Sequence, residues 1–163
     1  MEQKHLYTSK QKLEWFGRGE WVEEPDEATF EHEGFKCIVC RIVSDECYGQ
    51  AFGGHFCGYV QIPPNHPWYG KAYNKIECEC HGGLTFASER FDEDIFWVGF
   101  DCSHSDDITP SIEMFRDECG QRSRLKRFYD QLPMMRPTYK NIQYAIAETQ
   151  SIAEQAARCI SST

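Results

Sequence analysis

Hydrophobic positions along the chain fall into four short runs with strand character and one long stripe with helical character. Phe35 to Val43 is rich in Ile, Val and Cys at consecutive positions, so it reads as a central strand covered on both faces. Phe56 to Ile62 alternates, with Phe56, Gly58, Val60 and Ile62 on one side and Cys57, Tyr59 and Gln61 on the other. A Gly53-Gly54 turn precedes that strand and Pro63-Pro64 ends it. Lys75 to Cys80 predicts a third strand, with Ile76, Cys78 and Cys80 on one face and Glu77, Glu79 and His81 on the other. That strand is expected to resume after Gly82-Gly83 through Leu84 and Phe86. Ile95 to Asp101 predicts a fourth, with Phe96, Val98 and Phe100 inward and Trp97, Gly99 and Asp101 opposite.

The periodicity then changes. Ile142, Ala145, Ile146, Thr149, Ile152, Ala153, Ala156 and Ile160 form a single stripe, predicting a closing helix that starts near Pro137-Thr138. Asp106 to Arg136 is mixed and predicts one or two short helices. At the other end, the polar residues up to about Lys12 are expected to be loosely held. Trp15, Phe16, Trp21 and Phe30 punctuate an acidic stretch around Glu23-Glu24-Pro25-Asp26, which reads as an irregular segment pinned by its aromatics. Short connections favour an antiparallel meander over parallel crossovers. The predicted class is α+β, a single domain over residues 1–163. Its antiparallel sheet has about four or five strands, packed against the long C-terminal helix and short helices.

Composition narrows the function. The 163 residues are 40% hydrophobic and 14% aromatic, enough for a packed core. No apolar run is long enough for a membrane span, and the first residues lack the apolar core of a secretion signal, so a cytoplasmic protein is expected. Nine cysteines in such a compartment read as free thiols, mostly small core residues. A net charge of −9 disfavours nucleic-acid polymers and anionic membranes as partners. The densest basic stretch, Arg116, Arg122, Arg124, Lys126 and Arg127, reads as a solvated face or as the lip of a phosphate pocket.

Chemistry-bearing residues gather at the ends of the last two strands. Cys37 and Cys40 form a CxxC, but within a strand they point to opposite faces and cannot converge on zinc. Cys78 and Cys80 share a face with Ile76 and read as core. His81, Asp101, His104, Asp106 and Asp107 offer imidazole and oxygen donors, but at no metal-binding spacing, so neither a metal nor a cofactor is assigned. Cys102 near His104 lacks a continuous strand to align a nucleophile and base, and no catalytic residue is assigned. Binding explains more of the pattern. Gly58, Gly82, Gly83 and Gly99 mark close backbone approaches. Tyr59, Tyr69, Phe86 and Trp97 offer stacking faces, while His81, Thr85, Asp101, His104 and Asp107 offer polar contacts for a ribose or heterocycle. Two further members of the expected site, His66 and Lys71, come from the loop after the second strand, and Lys71 or the basic stretch would neutralise phosphate.

Several motifs resemble those of a widespread family of small phage-encoded proteins. They are Trp21 with Glu24-Pro25-Asp26, Cys37 to Arg41, Cys57-Gly58-Tyr59-Val60, and His66-Pro67-Trp68-Tyr69-Gly70-Lys71. His81-Gly82-Gly83-Leu84-Thr85-Phe86 and Val98-Gly99-Phe100-Asp101-Cys102-Ser103-His104, followed by Asp107 and Pro110, complete the set. The resemblance spans about residues 15 to 160 and departs at Val98, where an aromatic is expected, and in an extended basic insert around Arg122 to Arg127. It implies an accessory protein that sequesters a small nucleotide-derived immune signal without catalysis; a homo-oligomer is a state the sequence leaves open. A metal- or histidine-assisted hydrolase using the same residues, and a protein inhibitor of a host defence enzyme, are the alternatives.

Overall fold

The computed structural model describes residues 1–47, 50–90 and 95–161. Ten elements follow in order: β1 (Glu2–Lys4), α1 (Ser9–Phe16), β2 (Glu27–His32), β3 (Phe35–Cys47), β4 (Gln50–Ile62), β5 (Phe86–Glu89), β6 (Phe96–Asp101), α2 (Pro110–Glu118), α3 (Arg122–Gln131) and α4 (Ile142–Ser161). All six strands join one antiparallel sheet in the order β1-β2-β3-β4-β6-β5. The α+β class holds, with six strands in place of the four or five expected.

Strand alternation sorts the sheet into two apolar faces. Ala28, Phe30, Cys37, Val39, Phe56, Val60, Ile62, Phe96, Val98 and Phe100 form the face that meets α4. Ile38, Cys40, Cys57, Tyr59 and Trp97 form a smaller cluster on the other. Cys37 and Cys40 therefore do lie on opposite faces. The stripe of α4 is buried from Ile142 to Ala156, whereas Ile160 is half exposed. The helix lies across β4, β3 and β2. It approaches closely at Gly58, where a Cβ would overlap Thr149 Oγ1 and the Phe100 ring. Its start is Asn141, whose Oδ1 accepts the Tyr144 N–H at 3.0 Å, rather than Pro137-Thr138. Thr138 is instead taken into a bridge with Asp107.

Four further expectations are corrected. The N-terminus is not loose. β1 extends the sheet edge, Thr8 and Gln11 close a capping box on α1, and Lys12 is fully buried. Lys12 donates to Glu24 O at 2.6 Å and lies 3.3 Å from Asp26 Oδ1, so a polar-looking segment is anchored by an internal ion pair. The expected irregular stretch is confined to Glu23-Glu24-Pro25-Asp26, between a 3₁₀ turn at Glu20–Val22 and β2.

Lys75 to Cys80 is not a strand. Its backbone finds partners on α4 instead of in a ladder: Gln155 Oε1 accepts the Glu79 N–H at 2.8 Å and Gln155 Nε2 donates to Glu79 O at 2.7 Å. One amide side chain thus supplies the paired bonds a neighbouring strand would give. Ile76, Cys78 and Cys80 nevertheless face the core.

The Gly53-Gly54 pair lies inside β4 rather than in a turn before it. Both residues have positive φ, 101° and 89°, where the β3–β4 register shifts between Arg41 and Val43. A Cβ on Gly53 would press on Ile42 O at 2.7 Å, so the irregularity needs glycine.

Candidate functional site

The thirteen residues expected at one site are distributed over three places. Tyr59, Thr85, Phe86 and Asp101 line a cleft of about 480 Å³ at the β4–β6–β5 end of the sheet. It opens beside the smaller apolar cluster, on the face away from α4. Trp97 belongs to the same face but is 1% exposed, so it supports the cleft from below and presents no free ring. His81, His104 and Asp107 come together on the α4 side with Gly82 against the His104 ring, while a Cβ on Gly83 would meet open space, so the close approach expected there is not found. His66, Tyr69 and Lys71 go elsewhere. His66 is buried, with Nδ1 accepting the Trp68 N–H at 3.0 Å and Nε2 donating to Ala156 O at 3.0 Å, a tie between loop and α4. Tyr69 packs on Phe96, and Lys71 lines a separate surface groove with Lys75 and Arg158.

The cleft also contains residues that the sequence reading omitted. Arg90 sits with its guanidinium carbon 4.1 Å from the Tyr59 ring centroid and 5.6 Å from that of Phe86, and donates to the Tyr59 hydroxyl. His55 also lines the cleft, and its Nδ1 is buried with no hydrogen-bond partner among the described residues. Burial holds the His55 pKa below the ordinary histidine value, against the pull of Asp101 and Asp107, so its ring is neutral. Asp101 Oδ1 accepts the Ser103 N–H at 3.0 Å, which orients the carboxylate at the end of β6. His55 could have been read from the sequence, because it shares parity with Cys57 and Tyr59. Starting the strand at Phe56 hid it. Arg90 carried no comparable signal.

The second assembly is organised by Asp107. Its side chain is fully buried, and one oxygen, Oδ2, receives His81 Nε2 at 2.8 Å, the His104 backbone N–H at 2.9 Å and His104 Nδ1 at 3.2 Å. Burial pushes the Asp107 pKa up, but these hydrogen bonds outweigh it and hold the carboxyl below its ordinary range. Lys140 Nζ lies 3.8 Å from the other oxygen. His81 is fixed on every side: Glu148 Oε2 accepts its backbone N–H at 2.8 Å and the Tyr144 hydroxyl lies 3.1 Å from its Nδ1. Gly82 has φ +65°, and a Cβ there would fall inside the His104 ring, so the glycine admits that imidazole. His81, His104 and Asp107 offer three ligand atoms, all within 4.8 Å of one another.

The remaining candidates separate from both places. Cys102 is 1% exposed and burial raises its thiol pKa, which removes it as a nucleophile. Arg116 and Lys126 line a hollow of about 310 Å³ between α2 and α3 and pair with Glu113 and Asp130. The Arg122 side chain lies outside the described residues. No helix among the described residues is long and apolar enough to cross a membrane. Set against protein-family models, curated proteins and solved structures, the chain matches none.

Proposed function

We propose that the protein binds a small nucleotide-like ligand in the β4–β6–β5 cleft and retains it without turning it over. One observation carries this reading: a cleft of about 480 Å³ combines a guanidinium plane over aromatic rings with a buried imidazole nitrogen that has no partner among the described residues. That volume and mixture of apolar wall with few polar groups is typical of small-molecule sites. Arg90 suits a phosphate or the face of a base, Phe86 offers a partly exposed ring, and Thr85, His55 and Asp101 suit ribose hydroxyls or a heterocycle edge. The motif resemblance supplies the biological side of the proposal, a phage-encoded protein that removes a nucleotide-derived immune signal in the host cytoplasm.

Isothermal titration calorimetry with cyclic dinucleotides, cyclic trinucleotides and ADP-ribose derivatives tests it. One of these classes should bind saturably with one ligand per cleft. Arg90→Ala and Asp101→Asn should each weaken binding by about tenfold or more, the effect of losing a hydrogen bond to a charged group. The ligand should be recovered intact after the protein is denatured. Absence of saturable binding, or binding indifferent to Arg90→Ala, refutes the cleft. Recovery of a converted ligand refutes retention and favours the hydrolase.

A further inference from the structure

We infer that His81, His104 and Asp107 form a binding site for a divalent transition metal ion of the zinc class. The inference is independent of the cleft and of what binds there.

The first observation is convergence. One ligand atom from each of His81, His104 and Asp107 lies within 4.8 Å of the other two, and His81 Nε2 and His104 Nδ1 are the nitrogens turned to Asp107 Oδ2, at 2.8 and 3.2 Å. They come from two separate chain segments, the turn after Cys80 and the loop after β6, held together against α4. Two imidazoles and one carboxylate are the donor set that suits zinc and neighbouring first-row ions.

The second observation is the uneven use of the Asp107 carboxylate. Three N–H groups crowd Oδ2, whereas the buried Oδ1 accepts no hydrogen bond among the described residues and faces Lys140 Nζ only at ion-pair distance, 3.8 Å. A buried carboxylate arranged only for structure would spread its donors over both oxygens. Here two imidazole nitrogens are gathered on one side of the group, where a single cation could replace the two ring protons.

The third is the surrounding shell. A metal-ligating imidazole generally gives its other ring N–H to a neighbouring acceptor, which fixes the tautomer and the ring orientation. With a cation bound, the Tyr144 hydroxyl, 3.1 Å from His81 Nδ1, would accept the Nδ1–H, and Nε2 would give the ion its lone pair in place of the proton it now donates to Asp107. Glu148 fixes the His81 backbone and Gly82 makes room for the His104 ring. Three protein ligands are one fewer than a closed structural zinc site has. The His104 side chain is 28% exposed, so the open position faces solvent and would accept water or an anionic oxygen.

Cobalt(II) is a suitable probe, since it takes zinc geometries and absorbs in the visible. Reduced, chelator-treated protein titrated with Co²⁺ should bind one equivalent, displaceable by Zn²⁺, with ligand-field bands and without thiolate charge-transfer absorption. His104→Ala should weaken binding by more than about tenfold, and Tyr144→Phe by about tenfold, the cost of losing an outer partner. His32→Gln should change nothing, because His32 pairs at the surface with Glu154 alone among the ion pairs. His104 is partly exposed, so its alanine variant should keep the far-ultraviolet circular dichroism of the native fold. Failure of the folded protein to bind Co²⁺ saturably overturns the site. So does binding that is unchanged in His104→Ala, or a spectrum dominated by thiolate bands.

Discussion

Asp26→Asn should cost about 3–5 kcal/mol of stability, because this carboxylate is the centre of a fully buried charge network. Asp26 Oδ1 receives Arg41 Nε at 2.7 Å and faces Lys12 Nζ at 3.3 Å, and all three side chains are inaccessible to solvent. Asp26 Oδ2 receives the backbone N–H groups of Leu6 and Tyr7 at 3.0 and 3.1 Å. Glu24, 2.9 Å from Arg41 Nη2, supplies the second negative charge, so two cations meet two anions. Asparagine has one acceptor oxygen. Turned toward the backbone pair, it points its NH₂ at Arg41; turned toward Arg41, it points NH₂ at two N–H groups. Either way donors face donors, and two buried cations keep one counter-charge. For a chain of this length each kcal/mol moves the melting temperature by about 2–4 °C, so the midpoint should fall by roughly 6–20 °C. Urea denaturation with an unchanged m-value gives the free energy directly. Adding Lys12→Met to Asp26→Asn removes one uncompensated cation and should restore part of the loss, a coupling of about 0.5–3 kcal/mol. A single-variant loss below about 1 kcal/mol refutes the network, as does a double variant no more stable than Asp26→Asn.

Two further outcomes follow from the interior. His55 is held neutral by burial, so the unfolded chain takes up a proton near pH 6.5 that the folded protein refuses. Its contribution to stability is therefore full above pH 6.5 and is lost as pH falls toward the lowered native value, by at most about 1.4 kcal/mol per pH unit. The urea midpoint should fall less between pH 7 and pH 5.5 in His55→Gln than in the parent; an identical fall refutes the assignment. Burial pushes the thiols of Cys37 and Cys57 up to about 12 and that of Cys40 to about 11, whereas Cys119 is exposed. Among these four, iodoacetamide at pH 8 should label Cys119 first, and the other three only as fast as the protein unfolds. Rapid labelling of Cys37 or Cys57 in the folded protein contradicts their place in the sheet.

The central strands of the sheet were legible from their apolar patterns, whereas β2 was not, although Ala28 and Phe30 alternate with more exposed neighbours. Phe35 to Val43 became a strand as an apolar run buried on both faces, and Phe56 to Ile62 and Ile95 to Asp101 became strands by alternation, with Phe96, Val98 and Phe100 inward as expected. Lys75 to Cys80 alternates just as cleanly and is not a strand. Ile76, Cys78 and Cys80 need only an apolar wall, and Gln155 supplies the hydrogen bonds. Periodicity reports which side chains are buried, not what satisfies the backbone. The N-terminus fails for the opposite reason: a lysine at position 12 marks solvent in any composition rule, and only Asp26 and the Glu24 carbonyl make its burial affordable. The Thr8–Gln11 capping box was readable and would have placed α1.

The site was half legible, and the half that was missed has one cause. His81 and Asp107 were grouped because both follow predicted strands, and they do meet at 2.8 Å. They meet through α4, since Tyr144 and Glu148 hold His81 in place, and neither of these belongs to a strand. Assigning His81 to a strand face made it a partner of Thr85 and Asp101, which instead line a cleft on the far side of the sheet. Asp101 and His104 are three residues apart, yet the chain turns between them, and Cys102 is buried at that turn. One sequence cluster therefore contributes to two places of different chemistry: oxygen and guanidinium groups around an apolar cleft on one face, and converging imidazoles on the other. A binding protein and a metal-dependent hydrolase differ here in whether the two sites act on the same molecule. Turnover is decided by recovering the ligand after incubation with and without Zn²⁺; communication between the two places is decided by whether Zn²⁺ changes the affinity of the cleft for its ligand, because coupling must appear equally in both binding constants.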